Sequence, residues 1–94
     1  MKALAVSVGL GLLASGASAQ APAPPGALAC SGCHGRGGEG SAFAPLAGQD
    51  AGAMAAALRE FRSGQRPATV MDRIAKGFSD DEGEAIAAWL AAQR

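Results

Sequence analysis

Apolar residues along this chain recur at helical spacing, and no segment alternates as a strand does. Residues 51–62 combine strong helix formers with apolar side chains at Met54, Leu58 and Phe61, which are four and then three residues apart and so share one helix face. The β-branched residues are scattered, and no run of them reaches strand length. The pattern therefore predicts an all-α chain.

Signals for helix ends bound two of the predicted helices. Asp50 is a suitable N-cap for the helix over 51–62, and Gly64 suits its C-terminal stop. Residues 65–69, which include a proline, are predicted to form a loop. The sequence Ser-Asp-Asp-Glu at 79–82 predicts a capping box that opens the last helix. The apolar stripe of this last helix consists of Ile86, Trp89 and Leu90.

A shorter first helix is predicted over about residues 26–34, opened by Pro25 and with Leu28 on its inner side. Residues 20–25 before it form an Ala/Pro-rich tail, which its prolines keep extended. Residues 35–48 after it are rich in Gly, Ser and Pro, and this composition predicts a loop.

The first nineteen residues have the organisation of a secretory signal peptide. Lys2 provides the positive start, residues 3–13 are an apolar core, and Ala17-Ser18-Ala19 is a small-residue cleavage site. We therefore predict cleavage after Ala19. A retained membrane helix is the alternative, which is weaker because Ser and Gly residues interrupt the short apolar run.

Composition narrows the classes of partner. Residues 26–94 are long enough for one domain, and the whole chain carries eight Lys and Arg against eight Asp and Glu. This balance gives no support for nucleic-acid binding, so we expect a protein partner, and contact with a membrane only through an uncleaved signal peptide. Large apolar residues are few after the signal peptide. The stability of so small a domain would therefore be marginal without a covalent cross-link.

The run Cys30-Ser31-Gly32-Cys33-His34 has the spacing that attaches a c-type haem. On a helix the two sulfurs lie three residues apart and His34 lies four after Cys30, so all three can meet one porphyrin. The cysteines would form thioethers with the haem vinyl groups, and His34 would bind the iron. Because the motif occurs once, we predict one covalent haem c. Together with secretion, haem attachment predicts a periplasmic protein.

Three other interpretations of this motif stay open at this point. A thioredoxin-like redox pair needs a βαβ pattern, which the sequence lacks. A disulfide between Cys30 and Cys33 would close a loop too short to stabilise much. A structural zinc site needs four ligands, and the chain has no Cys or His beyond Cys30, Cys33 and His34.

The chain resembles class I cytochromes c, with a first helix ending in Cys-x-x-Cys-His, a glycine-rich loop containing Pro45-Leu46, and a methionine ahead of a capped last helix. The block Thr-Val-Met-Asp-Arg-Ile-Ala-Lys-Gly at 69–77, with residues 46–49 and 61–67, is similar to the cytochrome subunit of flavocytochrome c sulfide dehydrogenases. This resemblance implies a small class I cytochrome c fold, with three to four helices around one covalently bound haem. Related subunits often carry two such domains, whereas this chain has one motif.

The resemblance assigns the second iron ligand to Met71, which follows a loop and precedes the last helix. Met54 is the other candidate, but its register within a helix favours core packing. The resemblance also implies that the Pro45 carbonyl accepts the other ring N–H of His34 and fixes the ring. Alternatively, Pro45 only interrupts the loop.

Further expectations concern the surface and the last helix. Arg66, Arg73 and Lys76 lie near the predicted methionine ligand, where they pair with a haem propionate, border a docking surface or form an ordinary solvated face. Gly83 and Trp89 are candidates for the crossing with the first helix that this family uses, although Trp89 fits a simple core position equally well.

A His/Met pair leaves no open coordination position, so this chain is predicted to be an electron carrier and not an enzyme. The resemblance implies that it is a subunit accepting electrons from a sulfide-oxidising flavoprotein. Two alternatives are a free-standing shuttle to a terminal oxidase or other acceptor, and a small-gas-binding haem protein in which Met71 is displaced.

Overall fold

The computed structural model describes residues 11, 21–35 and 43–93, and every regular element in that part of the chain is an α-helix. The helices are α1 (Ala27–His34), α2 (Ala51–Ser63), α3 (Met71–Ala75) and α4 (Asp80–Ala91). The predicted signal peptide, apart from Gly11, and residues 36–42 of the predicted glycine-rich loop lie outside the described residues. None of the described helices has the length and apolar character needed to cross a membrane.

Helix α1 begins after Gly26, which takes the left-handed conformation at φ 86°, and ends at Gly35. The predicted position of Leu28 on the inner side is wrong, because its side chain is 57% exposed. Ala27 is fully buried and takes the inner position, and the next residue lies about 100° further round the helix. Leu28 instead lines a surface groove with Trp89.

Helix α2 has the ends that the sequence predicts. The Asp50 carboxylate accepts a hydrogen bond from the Ala53 N–H at 2.8 Å, and Gly64 ends the helix in the left-handed conformation at φ 84°. The helix extends one residue beyond the predicted range, to Ser63. These ends are set locally, since each depends on residues within one turn.

Helix α3 has only five residues, too few for hydrophobic periodicity to reveal it in the sequence. It packs against α2. Ala75 is buried and Met71 and Asp72 are half-buried, whereas Arg73 and Ile74 are exposed. The helix thus has an inner and an outer face despite its length.

Helix α4 opens with the predicted capping box, in which the Ser79 hydroxyl accepts from the Glu82 N–H at 3.2 Å and the Ser79 N–H donates to Glu82 Oε1 at 3.0 Å. The helix packs against both α2 and α1. Gly83 lies against Leu58 of α2, since a Cβ placed on Gly83 would be 3.4 Å from Leu58 Cδ1. The expectation that Gly83 lies at the crossing with the first helix is therefore wrong.

The core between α1 and α4 is small. Ala27, Ile86 and Leu90 form its buried cluster, and partly buried side chains packed against it include Met54 and Trp89. The predicted core packing of Met54 is confirmed, and Trp89 also serves as a core residue. Four of the six buried apolar residues in the described chain are alanines, so the core buries little apolar surface for its length.

Candidate haem-binding site

Helix α1 carries all three residues of the haem-attachment motif. Cys30 is half-buried against the core cluster, its thiol directed at the Gly26 carbonyl at 3.8 Å, whereas Cys33 is exposed and His34 is half-buried. Burial raises the pKa of the Cys30 thiol more than the backbone hydrogen bond lowers it. A raised pKa keeps the sulfur as a thiol at neutral pH.

The His34 ring is oriented by the loop that precedes α2, at Phe43 and Ala44. Its Nδ1 lies 2.5 Å from the Ala44 carbonyl oxygen, and its ring centroid lies 5.9 Å from that of Phe43. Because a carbonyl can only accept, Nδ1 carries the proton and donates it, which leaves the lone pair of the neutral ring on Nε2. This is the tautomer that binds a metal through Nε2.

The residue that orients His34 differs by one position from the prediction. The Pro45 carbonyl accepts a hydrogen bond from the Gln49 side-chain amide at 2.9 Å, and the Ala44 carbonyl meets the His34 ring. Proline restricts the residue before it to extended conformations, which helps to fix the direction of the Ala44 carbonyl. The sequence located the right loop, but only the folded backbone shows which carbonyl reaches the ring.

Met71 is the first residue of α3 and is half-buried. Its helix packs against α2, whereas α1, which carries His34, packs against α4. The structure therefore brings Cys30, Cys33 and His34 together and leaves Met71 on a separate helix.

The donor set fits haem c: two cysteines, an imidazole nitrogen with an available lone pair, and a thioether on another helix. Large apolar side chains lie exposed beside both ends of this set, with Phe43 at 58% next to the His34 ring and Val70 at 55% next to Met71. Within the described ranges, no three His, Cys, Asp or Glu side chains cluster as an ion site. A large apolar group would cover surface that the small core does not.

The three basic residues near Met71 differ in their surroundings. Arg66 is engaged, because its Nη2 lies 2.7 Å from the Glu60 carboxylate and its guanidinium lies 5.3 Å from the centroid of the Phe61 ring. Arg73 and Lys76 are exposed and form no ion pair with any other residue that the structure describes. Of the predicted set, Arg73 and Lys76 are therefore the two whose charges face solvent.

Sequence reasoning missed Arg62, in the last turn of α2. Its guanidinium donates to the Phe78 carbonyl at 2.9 Å and forms an ion pair with Asp80. No local pattern could have revealed these contacts, since the partners are sixteen and eighteen residues away along the chain.

Residues 26–90 match the model of the family described as Cytochrome C oxidase, cbb3-type, subunit III. The chain is also similar to the "Thiosulfate dehydrogenase electron acceptor" of Stutzerimonas stutzeri (strain A1501), with 46% identity over 78% of this chain and 35% of the relative. It is 39% identical to the "Cytochrome subunit of sulfide dehydrogenase" of Chlorobaculum tepidum, over 67% of this chain and 58% of the relative.

A third relative matches over most of its own length. The cytochrome c-554(548) of Halomonas halodenitrificans is 36% identical over 68% of this chain and 83% of the relative. By contrast, the chain spans only 35% and 58% of the length of the relatives from Stutzerimonas stutzeri and Chlorobaculum tepidum.

Proposed function

The chain belongs to the family of c-type cytochrome domains described as Cytochrome C oxidase, cbb3-type, subunit III, and from this membership we propose that it carries single electrons between redox proteins through one covalently bound haem c. The observation that carries the proposal is the His34 ring, whose Nδ1–H is bound by the Ala44 carbonyl so that Nε2 is left for iron.

Each site residue has a defined part in this proposal. Cys30 and Cys33 would hold the haem as thioethers, and His34 and Met71 would bind its iron. The bound haem supplies an iron that gains and loses one electron. An imidazole and a thioether bound to that iron would favour the reduced state relative to harder ligands, which suits a carrier and not a catalyst.

The electron donor is proposed to be a dehydrogenase of a reduced sulfur compound. The names of the dehydrogenase-associated relatives support this class, and they divide between thiosulfate and sulfide. A sulfide-oxidising flavoprotein is the specific donor that we propose, in keeping with the resemblance of residues 69–77 to flavocytochrome subunits.

We place the protein in the periplasm. The signal-peptide pattern of residues 1–19 and the attachment motif support this location, because a secreted chain with a Cys-x-x-Cys-His motif meets haem on the oxidising side of the membrane. Peptide mass analysis of the mature protein tests it, with cleavage after Ala19 as the expected result.

A free-standing shuttle is the second candidate. It is favoured by the cytochrome c-554(548), of which this chain spans 83%, because that relative shows the domain in a protein of similar size. A shuttle would accept electrons from several unrelated donors at similar rates, whereas a dedicated subunit would co-purify with one.

Optical spectra test whether His34 and Met71 bind the haem iron. We expect the oxidised protein to show a methionine-to-iron charge-transfer band in the far red, and we expect Met71→Ala to abolish it because the thioether is lost. Met54→Ala is the matched control and should keep the band, since Met54 packs against the core. A band lost in Met54→Ala and kept in Met71→Ala would reverse the assignment.

A ligand-binding test separates carriers from gas sensors. With Met71 bound, the reduced protein should not bind carbon monoxide, whereas Met71→Ala should bind it readily. Rapid binding by the unaltered protein would favour a gas-binding function and count against electron transfer.

The donor is tested by mixing the reconstituted protein with its candidate partners. We expect sulfide to reduce the haem only when the flavoprotein is present, and thiosulfate to have no effect in that mixture. The opposite result would be reduction of the haem by thiosulfate with a thiosulfate dehydrogenase, and no reduction by sulfide with the flavoprotein. In that case the electron donor would be the thiosulfate dehydrogenase.

A further inference from the structure

We propose that Arg62 is a positioning residue that holds the Met71 segment, residues 64–79, closed so that Met71 stays bound to the haem iron; this inference rests on the proposed function. Arg62 precedes the segment by two residues and binds the chain where the segment ends. Arg62 therefore connects the beginning of the Met71 segment to its end.

The geometry of the guanidinium suits this role. One nitrogen, Nη1, donates to the Phe78 carbonyl at 2.9 Å, and the other, Nη2, pairs with the carboxylate of Asp80, the first residue of α4. The contact with Phe78 is partly buried, and the Arg62 side chain is 34% exposed. A planar fork that reaches two acceptors fixes direction as well as distance, which a lysine ammonium does not do.

Phe78 connects this contact to the haem-attachment helix. Its side chain packs against the core cluster of Ala27, Ile86 and Leu90, and its ring lies directly against Gly26, where a Cβ would be only 2.4 Å from Phe78 Cε1. Gly26 is the N-cap of α1. By holding the Phe78 backbone, Arg62 fixes the end of the Met71 segment relative to the helix that carries Cys30 and His34.

The other contacts of the segment lie along its length and join it to α2, against which α3 packs, and not to α1. Ala75 is its one buried side chain, and Val70, the N-cap of α3, makes no side-chain capping bond. Arg66 binds Glu60 and thereby secures the beginning of the segment to α2. A thioether is a weak ligand for ferric iron, so retention of Met71 depends on how seldom the segment opens.

Added imidazole measures that opening, because it binds the ferric protein only when Met71 has left the iron. We expect Arg62→Ala to raise the affinity for imidazole about tenfold, since the loss of two charge-assisted bonds increases the open population by that factor. Arg62→Lys should give an intermediate affinity, because its ammonium keeps the charge near Asp80 without the fork.

Arg59→Ala is the matched control. Arg59 lies on the same helix and also pairs with an acid on α4, Glu84, at 3.7 Å, but it forms no hydrogen bond or ion pair with the Met71 segment, whose residues the structure describes in full. Its removal should leave the imidazole affinity within about twofold of the unaltered protein. Equal affinities for Arg62→Ala, Arg59→Ala and the unaltered protein would overturn the proposal.

Two further results keep the two hypotheses apart. If the unaltered protein shows the far-red band, Met71→Ala loses it and Arg62→Ala does not change imidazole binding, then the ligand assignment stands and only the role of Arg62 fails. If the unaltered protein lacks the band, both fail. Should Arg62→Ala yield no holoprotein, the comparison of Arg62→Lys with Arg59→Lys decides the question, with a rise confined to Arg62→Lys expected.

Discussion

Gly26 and His34 stand at the two ends of α1, and each is fixed by a residue from elsewhere in the chain. The Phe78 ring packs on the Gly26 backbone, and the Ala44 carbonyl receives the His34 Nδ1–H. The first contact requires the absence of a side chain, and the second determines which ring nitrogen is left for a metal. At the scale of single residues, the site therefore depends on contacts that pass between segments.

We predict that Gly26→Ala destabilises the protein by about 3 kcal/mol, because it adds the cost of a left-handed alanine to that of overpacking against Phe78. The φ of Gly26 is 86°, and its added Cβ would lie 2.4 Å from the ring. Denaturant unfolding of the holoprotein measures the change.

Gly32→Ala is the control for this prediction, since Gly32 lies within α1 with nothing within 4 Å of an added Cβ. It should stabilise the helix by a few tenths of a kcal/mol to about 1 kcal/mol. Similar losses for both variants would show that the close approach of Phe78 has no energetic importance.

At the scale of elements, the two long helices carry their own boundary signals, and the short helices depend on their neighbours. Asp50 and Gly64 bound α2, and the Ser79–Glu82 capping box opens α4. Helix α3 has only a five-residue span and is held by packing on α2. Isolated helices of that length are not stable in water, so α3 exists because the tertiary structure supports it.

The capping box makes α4 sensitive to acid. Hydrogen bonds from the Ser79 backbone and side chain lower the pKa of Glu82 below its ordinary value of 4.5. A carboxylate whose pKa is lower in the folded state stabilises the fold fully above the ordinary value, and this contribution is lost as the pH falls through the lowered value. We therefore expect Glu82→Gln to be less stable than the unaltered protein at pH 7.

The gap in the free energy of unfolding between these two proteins should narrow as the pH is lowered below 4.5. Urea unfolding at a series of pH values measures it. Glu84→Gln serves as the control, because Glu84 lies in the same helix but pairs with Arg59 and takes no part in the box. A gap that stays constant down to acid pH would contradict the assigned role of the carboxylate.

At the scale of the whole molecule, the protein part alone offers a small apolar core. Alanine provides four of the six buried apolar residues among those described, and Phe43, Val70 and Ile74 remain exposed. A covalent apolar group that touches several helices would add both buried area and a constraint on the unfolded chain. The haem is thus expected to serve the fold as well as electron transfer.

We predict that a haem-free Cys30→Ala/Cys33→Ala variant is poorly folded, because its core is too small to offset the chain entropy. Circular dichroism during heating measures this, with low helix content and no cooperative transition expected. Met71→Ala, which keeps both cysteines, is the control and should retain a cooperative transition. A full cooperative melt of the double variant would refute the prediction.

Much of the fold was open to prediction because its signals are local. The caps of α2 and α4, the helical face of Met54 and the haem-attachment motif each lie within a few residues, so spacing alone identifies them. Leu28 shows the limit of such patterns, because a helix with one large apolar residue does not reveal which of its faces is covered.

The sequence by itself thus determined the class of fold, both ends of α2, the start of α4 and the chemistry of the donor set. The tertiary structure decided that the Ala44 carbonyl orients His34, that α3 begins at Met71, and that Arg62 binds the far end of the Met71 segment. The physical reason is one of range. Caps and motifs act within a turn of helix, whereas these contacts join residues ten or more positions apart, and only the packed backbone fixes which groups meet.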